Sequence, residues 1–560
     1  MDIIADHDKR LGAIGTRASW VPTAGPILLL LLSLFAFHYG KKLVFHMAQA
    51  SQNQALAIVV TAWIGACIFM SIRYQAIPWL LRFVVRGVGA VILVQVMFDS
   101  FGAIPPAPNV IFGSNVPQIL FFRWGALLAV AAGIASLWRP AFLVPLFYYY
   151  ISFRLRIGPA GGIPVVDTDY LSLLDAGCFA TIGALLVVCL TSEQVWRRFP
   201  ILQRSWPELD RLALRENAAK LVWACVVGAH LGNYFLSGLA KLRAGGAEPW
   251  TWLVGNPTQT AIVIGMERGD NPLATIPWLA QFSWDAISRF GLLFNFFVLG
   301  AQLLCPLASL RVRFLLIFTL LFDAFHIGVF FTLGALFHFW IVMNLIIYSS
   351  AWRLKDSEMT LSMKVVCCLT TLFGSYAFYT NHLGWLDGAK LASPNFFAMT
   401  RDHRQVAIPS TYFGIYSYTI AQGGMFIPDD HFSFRIGGNN LDLNDWHDAT
   451  SCGPVIMKHQ DTGVTLAAVE ALVHNTDSFM RRNPAVKNDD LFYLYPHHMQ
   501  SNPLVFRQFN ALSIDDIVGY KYVVDSVCLG MDHGRLKRDV KKHTEYEIGI
   551  GPSGGPKTGH

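Results

Sequence analysis

Four polar residues stand at helical spacing inside an otherwise apolar stretch: His230, Asn233, Ser237 and Lys241. Steps of three, four and four residues, at ~100° per residue, bring all four within roughly 80° of one helix face. The opposite face is apolar. Lipid cannot satisfy such groups, so the stripe must turn toward other helices or a water-filled cavity. An imidazole and an amine in that position point to proton transfer, because an amine taken out of water gives up its proton more readily and can serve as a general base. The structural alternative is that His230 and Asn233 join helices by hydrogen bonds while Lys241 reaches to the interface.

Other apolar runs offer partners. Asp323 and His326 lie three apart, so a carboxylate could orient the imidazole or set its charge. Asn295 and Gln302, seven apart, also share a helix face. Gln95 with Asp99, Asp175, Arg123 and His338 are looser candidates. A cavity lined by Lys241, His230 and His326 is the arrangement to look for.

The elements that must hold these residues are membrane spans. The chain has 560 residues, 54% hydrophobic and 14% charged, with a mean hydropathy of +0.42. Soluble proteins carry roughly 25% charged residues. Disorder and collagen are excluded by the hydrophobicity and by the lack of a glycine period. The net charge of +6 does not indicate nucleic acid, since basic residues in a membrane protein mark topology first. About eleven apolar segments approach the ~20 residues needed to cross a bilayer. They are Pro26 to Gly40, Ala55 to Ile72, Gly87 to Phe101, Phe121 to Trp138, Phe142 to Ser152, Leu171 to Leu190, Leu221 to Leu239, Phe290 to Leu307, Phe314 to Phe330, Phe331 to Tyr348 and Met363 to Tyr379. The first reads as a retained signal anchor.

Short cytoplasmic loops carry the Lys and Arg excess. Lys9, Arg10 and Arg17, then Arg73, Arg82 and Arg86, Arg139, the six basic residues from Arg197 to Lys220, Arg311 with Arg313, and Arg353 with Lys355 fall on one side if the N-terminus is cytoplasmic. Lys41, Lys42, Arg154 and Arg156 fall on the other. The segment Ser192 to Ala219 mixes Trp and Phe with arginine and suits either the headgroup layer or an ordinary cytoplasmic loop.

From about Asn381 the composition turns polar, and about 180 residues suffice for one small domain. His431 to Ile436 alternates like a strand, Gly437 to Asn440 reads as a turn, and Leu466 to His474 as a short helix, giving a mixed α+β domain. The division is residues 1–380 in the membrane, 381–548 outside it, and 549–560 as a disordered tail. Seven of the nine cysteines sit in or beside spans as small core hydrophobes, whereas Cys452 and Cys528 form a disulfide if the domain faces an oxidising compartment, or remain free. The segment from Asn439 to Asp448 is rich in oxygen ligands of the kind calcium takes but lacks EF-hand spacing, so a solvated turn outweighs a metal site. His497-His498 is weighed the same way, and no metal is expected.

One stretch carries a resemblance. Tyr234-Phe235-Leu236-Ser237-Gly238-Leu239-Ala240-Lys241-Leu242, with Trp250 following, resembles the Tyr-Phe-x-x-Gly-x-x-Lys-Leu signature of the horizontally transferred transmembrane domain superfamily, which includes vitamin K-dependent gamma-carboxylase. Phe325-His326-Ile327-Gly328, with Gly334 after it, is similar to that family's His-containing helix. The likeness is strong over about thirty residues and faint over the rest of Met1 to Thr380. It implies that Lys241 deprotonates a reduced quinone as general base and that His326 shapes the site or handles protons. The departures are Ala240-Lys241 in place of the family's double lysine and a linker, Arg243 to Pro249, that is not acidic. The superfamily fold is the firmer implication and gamma-carboxylation the weaker.

The sequence is thus read as a polytopic α-helical membrane protein of about eleven spans with a smaller C-terminal extracytoplasmic α+β domain. The expected function is proton abstraction from a quinol or other lipid-soluble substrate. Catalysis would rest on Lys241, His326 and His230, and substrate binding on Asn233, Ser237, Asp323, Asn295 and Trp250. The expected partners are the bilayer and a protein or peptide at the outer domain, with no nucleic acid, and the expected location is the cell inner membrane. The alternative is a non-catalytic transporter or assembly protein whose outer domain binds a partner.

Overall fold

The computed structural model describes residues 21–101, 120–157, 169–198, 208–244, 248–384, 388–409, 412–413, 425–431, 452, 463–484, 487–488 and 501–550. Each apolar run folds as helix. In chain order these helices are α1 (Val21–Ala50), α2 (Gln52–Ile68), α3 (Trp79–Phe101), α4 (Ala126–Ser136), α5 (Leu143–Ile157), α6 (Asp169–Leu190) and α7 (Glu208–Ala244). After a five-residue helix at Thr251–Gly255 and two longer ones, α8 (Thr260–Glu267) and α9 (Pro277–Arg289), come α10 (Gly291–Leu304), α11 (Val312–Leu333), α12 (His338–Ala351) and α13 (Leu361–Phe373). Local chemistry sets the ends. Ser51 and Thr360 cap α2 and α13 by accepting from the amides of Gln54 and Met363, and Gly334, at φ 83°, closes α11 in the left-handed conformation that glycine adopts freely.

Six of these helices are long and apolar enough to cross a membrane by themselves among the described residues: 24–50, 79–97, 171–190, 211–244, 291–309 and 312–333. Of the about eleven spans expected, these six are the ones whose own length suffices. The other runs fold shorter; α5, with 15 residues, is only ~22 Å long against a ~30 Å hydrocarbon core. Helix α7 is the axis. Its apolar window is 94% buried, against 28% for α10 and α11, which therefore stand at the perimeter. It packs on α1, α6, α10 and α13.

Two basic residues that broke the topology pattern are used inside the bundle. Lys41 of α1 pairs with Asp175 of α6, whose Oδ2 also accepts the amide of Tyr379 at 2.6 Å. Arg154 lies on Tyr150, its Nε donating to the hydroxyl at 3.1 Å. Neither residue is free to report a loop's side of the membrane.

The C-terminal part holds a four-stranded antiparallel sheet in the order β2-β1-β3-β4, with β1 Lys390–Thr400, β2 Gln405–Ile408, β3 Ile517–Asp532 and β4 Arg535–Gly549. Strands β3 and β4 form a long hairpin turned by His533-Gly534, both at positive φ (48° and 75°), the combination that matches the right-handed twist of paired strands. Helix α14 (Leu466–Arg482) is longer than the Leu466 to His474 segment foreseen. Its Asp477 accepts from Tyr520 of β3 at 2.9 Å and from Arg481 at 2.8 Å. Cys452 and Cys528 are joined by a disulfide. The foreseen strand beyond His431, the turn at 437–440, the 439–448 segment, His497-His498, and residues 551–560 of the tail lie outside the described residues; Gly549 itself ends β4.

The sheet is tied to the helical part through the stretch between α7 and α10. Glu267 at the end of α8 accepts from Ser393 of β1 at 2.6 Å and pairs with Arg538 of β4, which also reaches Asp525 at 2.6 Å. The amide of Asn502 donates to the carbonyl of Gly269 at 2.8 Å. The hairpin tip rests on α9, where the amide of Gly534 donates to Gln281 at 2.7 Å.

Candidate functional site

The polar stripe falls on α7 as the spacing requires, and its four residues are buried. Three of them meet the connector that leads from α13 to the sheet. Asn233 Oδ1 accepts the amide of Asn381 at 2.8 Å, Ser237 Oγ accepts that of Leu383 at 3.1 Å, and Lys241 Nζ donates to the Leu383 carbonyl at 2.9 Å. Backbone amides and carbonyls left over where the chain leaves a helix thus find partners on α7, in a region where water is scarce.

His230 lies one turn deeper, in a different network. Its Nε2 is 2.8 Å from Oδ1 of Asn344 on α12, and the Asn344 amide donates to Tyr234 Oη at 2.9 Å and to Asp323 Oδ1 at 2.8 Å. One fully buried asparagine therefore ties together α7, α11 and α12. The Tyr234 ring stacks on Phe322 with centroids 3.6 Å apart, which fixes the ring that this network uses.

Beside the connector is a cavity of about 110 Å³, part of it open to the outside. That is below the ~300–1,000 Å³ usual for small-molecule sites. Lys241 and Ser237 form part of one wall, and His326, Phe325 and Val329 of α11 form another. Gln302 of α10, Trp340 of α12, and Trp252 and Thr258 of the α7–α8 stretch complete it. The walls are largely apolar and aromatic. Lys241 Nζ stands 5.4 Å from the centre of the Trp252 ring, and the His326 ring sits among Tyr234, Phe337 and Trp340 at 5.2 to 5.7 Å. Two polar atoms buried in this wall, Gln302 Oε1 and Trp340 Nε1, have no hydrogen-bond partner among the described residues. A buried acceptor and a buried donor left in that state are costly unless a ligand meets them.

The residues singled out by sequence separate into three groups. Lys241, Ser237 and His326 line the cavity. His230, Asn233 and Asp323 stand behind its wall and hold it in place. Asn295 binds the carbonyls of Leu253 and Asn256 at 3.1 and 2.9 Å and meets Thr258, so it positions the segment carrying Trp252 rather than the cavity itself. Trp250 is 60% exposed and away from the lining, and Trp252, one short turn on, occupies the place expected of it. Asp175 has its role with Lys41, and the side chain of Asp99 lies outside the described residues. Asn344 was missed, although it is a lone carboxamide inside an apolar run, the same signal that marked Asn295.

No group of three or more His, Cys, Asp or Glu that could hold a metal occurs among the described residues. The lining, with flat aromatic walls and Ser237 and Lys241 among them, suits a flat apolar ring bearing a polar substituent. No family model, curated protein or solved structure matches the chain.

Proposed function

We propose that this chain is a multi-pass membrane enzyme of the carboxylase-like transmembrane superfamily that binds a reduced quinone, or another lipid-soluble acid, beside Lys241. One observation carries the reading: the lysine and histidine of the two resembling motifs, far apart in sequence, face the same aromatic-walled cavity. The aromatic walls would hold the ring, with Lys241 and Ser237 on the side where its oxygens would lie. A reduced quinone supplies an acidic hydroxyl and, with oxygen, a strong base for proton abstraction. Lys241 Nζ is the proton acceptor, held by the Leu383 carbonyl, and His326 shapes the wall opposite it. In this reading the eleven apolar helices all cross the membrane, the N-terminus is cytoplasmic, and the sheet domain is outside, in keeping with its disulfide. The outer domain presents or receives the second substrate, a protein or peptide.

The test is oxygen uptake by the detergent-solubilised full chain on adding a reduced naphthoquinone, with mass spectrometry of any quinone that co-purifies. Lys241→Met should lower the rate by ~10²-fold or more. Asn233→Ala, which loosens the same connector from behind the wall, should cost stability and largely spare the rate. Full activity in the Lys241 variant sinks the proposal.

A second reading has its own support, since three of the four stripe residues bind connector backbone. In it, the stripe is a seam fixing the outer domain to a non-catalytic transporter or assembly protein. Equal losses in the Asn233 and Lys241 variants, with no quinone found, would favour it.

A further inference from the structure

At the opposite end of the bundle from Lys241, a wide groove opens between the start of α3 and the end of α12. Three guanidinium groups converge on it: Arg82 and Arg86, one turn apart on α3, and Arg353, just past α12. Trp79, Tyr348 and Trp352 form its sides, and no acidic residue lines it. The three arginines make no ion pair among the described residues, and two of them lie on rings, Arg86 at 4.4 Å from the Tyr74 centroid and Arg353 at 6.0 Å from that of Trp79. The acids that follow in the chain are already engaged. Asp356 Oδ1 accepts the amide of Val312 at 2.8 Å, and Glu358 Oε2 that of Lys355 at 2.7 Å. Below the groove the helices touch closely, since a side chain on Gly87 would come within 2.9 Å of Ile346, so the floor is shut and apolar.

We infer that this groove binds the phosphate of a membrane lipid headgroup. A phosphate meets three positive groups without a competing carboxylate, and guanidinium is the cation best shaped for it. The location favours lipid over a free anion. Trp352 is 62% exposed at the rim, and apolar helix surface continues below it, so an acyl chain can run down the bundle while the headgroup stays among the arginines. The basic residues collected at this end mark it as the cytoplasmic side, whose leaflet carries the anionic lipids. This inference is independent of any chemistry at Lys241.

The delipidated full chain, titrated in native mass spectrometry with phosphatidylglycerol, phosphatidylcholine and, separately, inorganic phosphate, provides the test. Phosphatidylglycerol should bind in preference to phosphatidylcholine. The variant Arg82→Gln/Arg86→Gln/Arg353→Gln should weaken that binding by on the order of 100-fold, given about fivefold for each basic residue near an anionic group. Arg139→Gln/Arg313→Gln, on the same side but outside the groove, should leave it nearly unchanged. If the triple variant does not fold, Arg353→Gln alone must still lower the preference severalfold. An undiminished preference in the folded variants, or equal stabilisation by phosphate alone, would overturn the assignment to lipid.

Discussion

At the scale of single residues, the bundle depends most on Asn344, whose one carboxamide serves His230, Tyr234 and Asp323. Asn344→Ala should destabilise the helical part by about 1–3 kcal/mol, because an imidazole, a hydroxyl and a carboxylate lose a buried partner together. Chemical or thermal unfolding in detergent measures this, and an unchanged midpoint would show that the network adds nothing. The sequence reading reached His230, Asp323 and His326 because charge inside a span attracts attention. Asn344 has no second carboxamide on its helix face, as Asn295 has in Gln302, and Trp250 was chosen over Trp252 because a motif fixes spacing and not which side of a turn a ring occupies. A second residue sets part of the sheet's response to pH. The hydrogen bond from His543 to Asp525, at 2.7 Å, holds the imidazole's pKa above its ordinary value, with Glu545 adding to the effect. The contribution of His543 is complete below about pH 6.5 and is lost as the pH rises through the higher folded value. His431 acts in the opposite sense, since burial lowers its pKa and its contribution is lost on acidification. Arg538 and Lys542 face the same cluster through their ion pairs with Asp525 and Asp430. The melting temperature of the sheet should fall between pH 6 and pH 8 in the parent protein and fall less in His543→Gln; parallel curves would remove His543 as the cause.

At the scale of elements, the hairpin β3–β4 shows what the sequence concealed. Strand β4 alternates mostly charged residues on both faces, so it lacks the apolar period that marks a strand, and His-Gly is not among the strongest turn signals. The pairing is supplied by β3, which is buried along most of its length. By contrast the helices were legible because each carries its own apolar run, while their lengths were not, since tertiary packing and caps decide where a helix stops. The tip is the point to test. Gly534 needs its positive φ, and a Cβ there would fall 1.9 Å from the carbonyl oxygen of Pro277 on α9. Gly534→Ala should therefore cost about 1–3 kcal/mol of local stability and lift the tip from α9. Faster hydrogen exchange at residues 530–537 and in α9, with α14 unaffected, is the expected outcome; protection equal to the parent's would show that the tip does not depend on this contact.

At the scale of the whole molecule, the number of crossings decides what the sheet domain can meet. If only the six long helices crossed, the even count would return the chain to the side on which it began, and the sheet would share a compartment with the N-terminus. If all eleven cross, the two ends are on opposite sides. The packing around α7 bears on one of the shorter helices, α13. Ser350, at the end of α12, accepts from Trp223 Nε1 at 2.9 Å, whereas the connector after α13 meets Lys241, and these two points of α7 are ~27 Å apart along the helix. Helix α13 and the turns after it must cover that distance, which is close to the full ~30 Å of hydrocarbon, even though α13 is too short to do so alone. Single cysteines at Lys355 and at His533, in a chain with its seven free cysteines replaced and the Cys452–Cys528 disulfide kept, separate the cases with a membrane-impermeant maleimide. His533→Cys, at a fully exposed hairpin tip, should label in intact cells, and Lys355→Cys only after permeabilisation. Labelling of both only after permeabilisation would place the sheet on the basic side and leave the disulfide without an oxidising compartment. It would also remove the outer-domain substrate from the proposed reaction, because that substrate and the Lys241 cavity would then have to be reached from the cytoplasm.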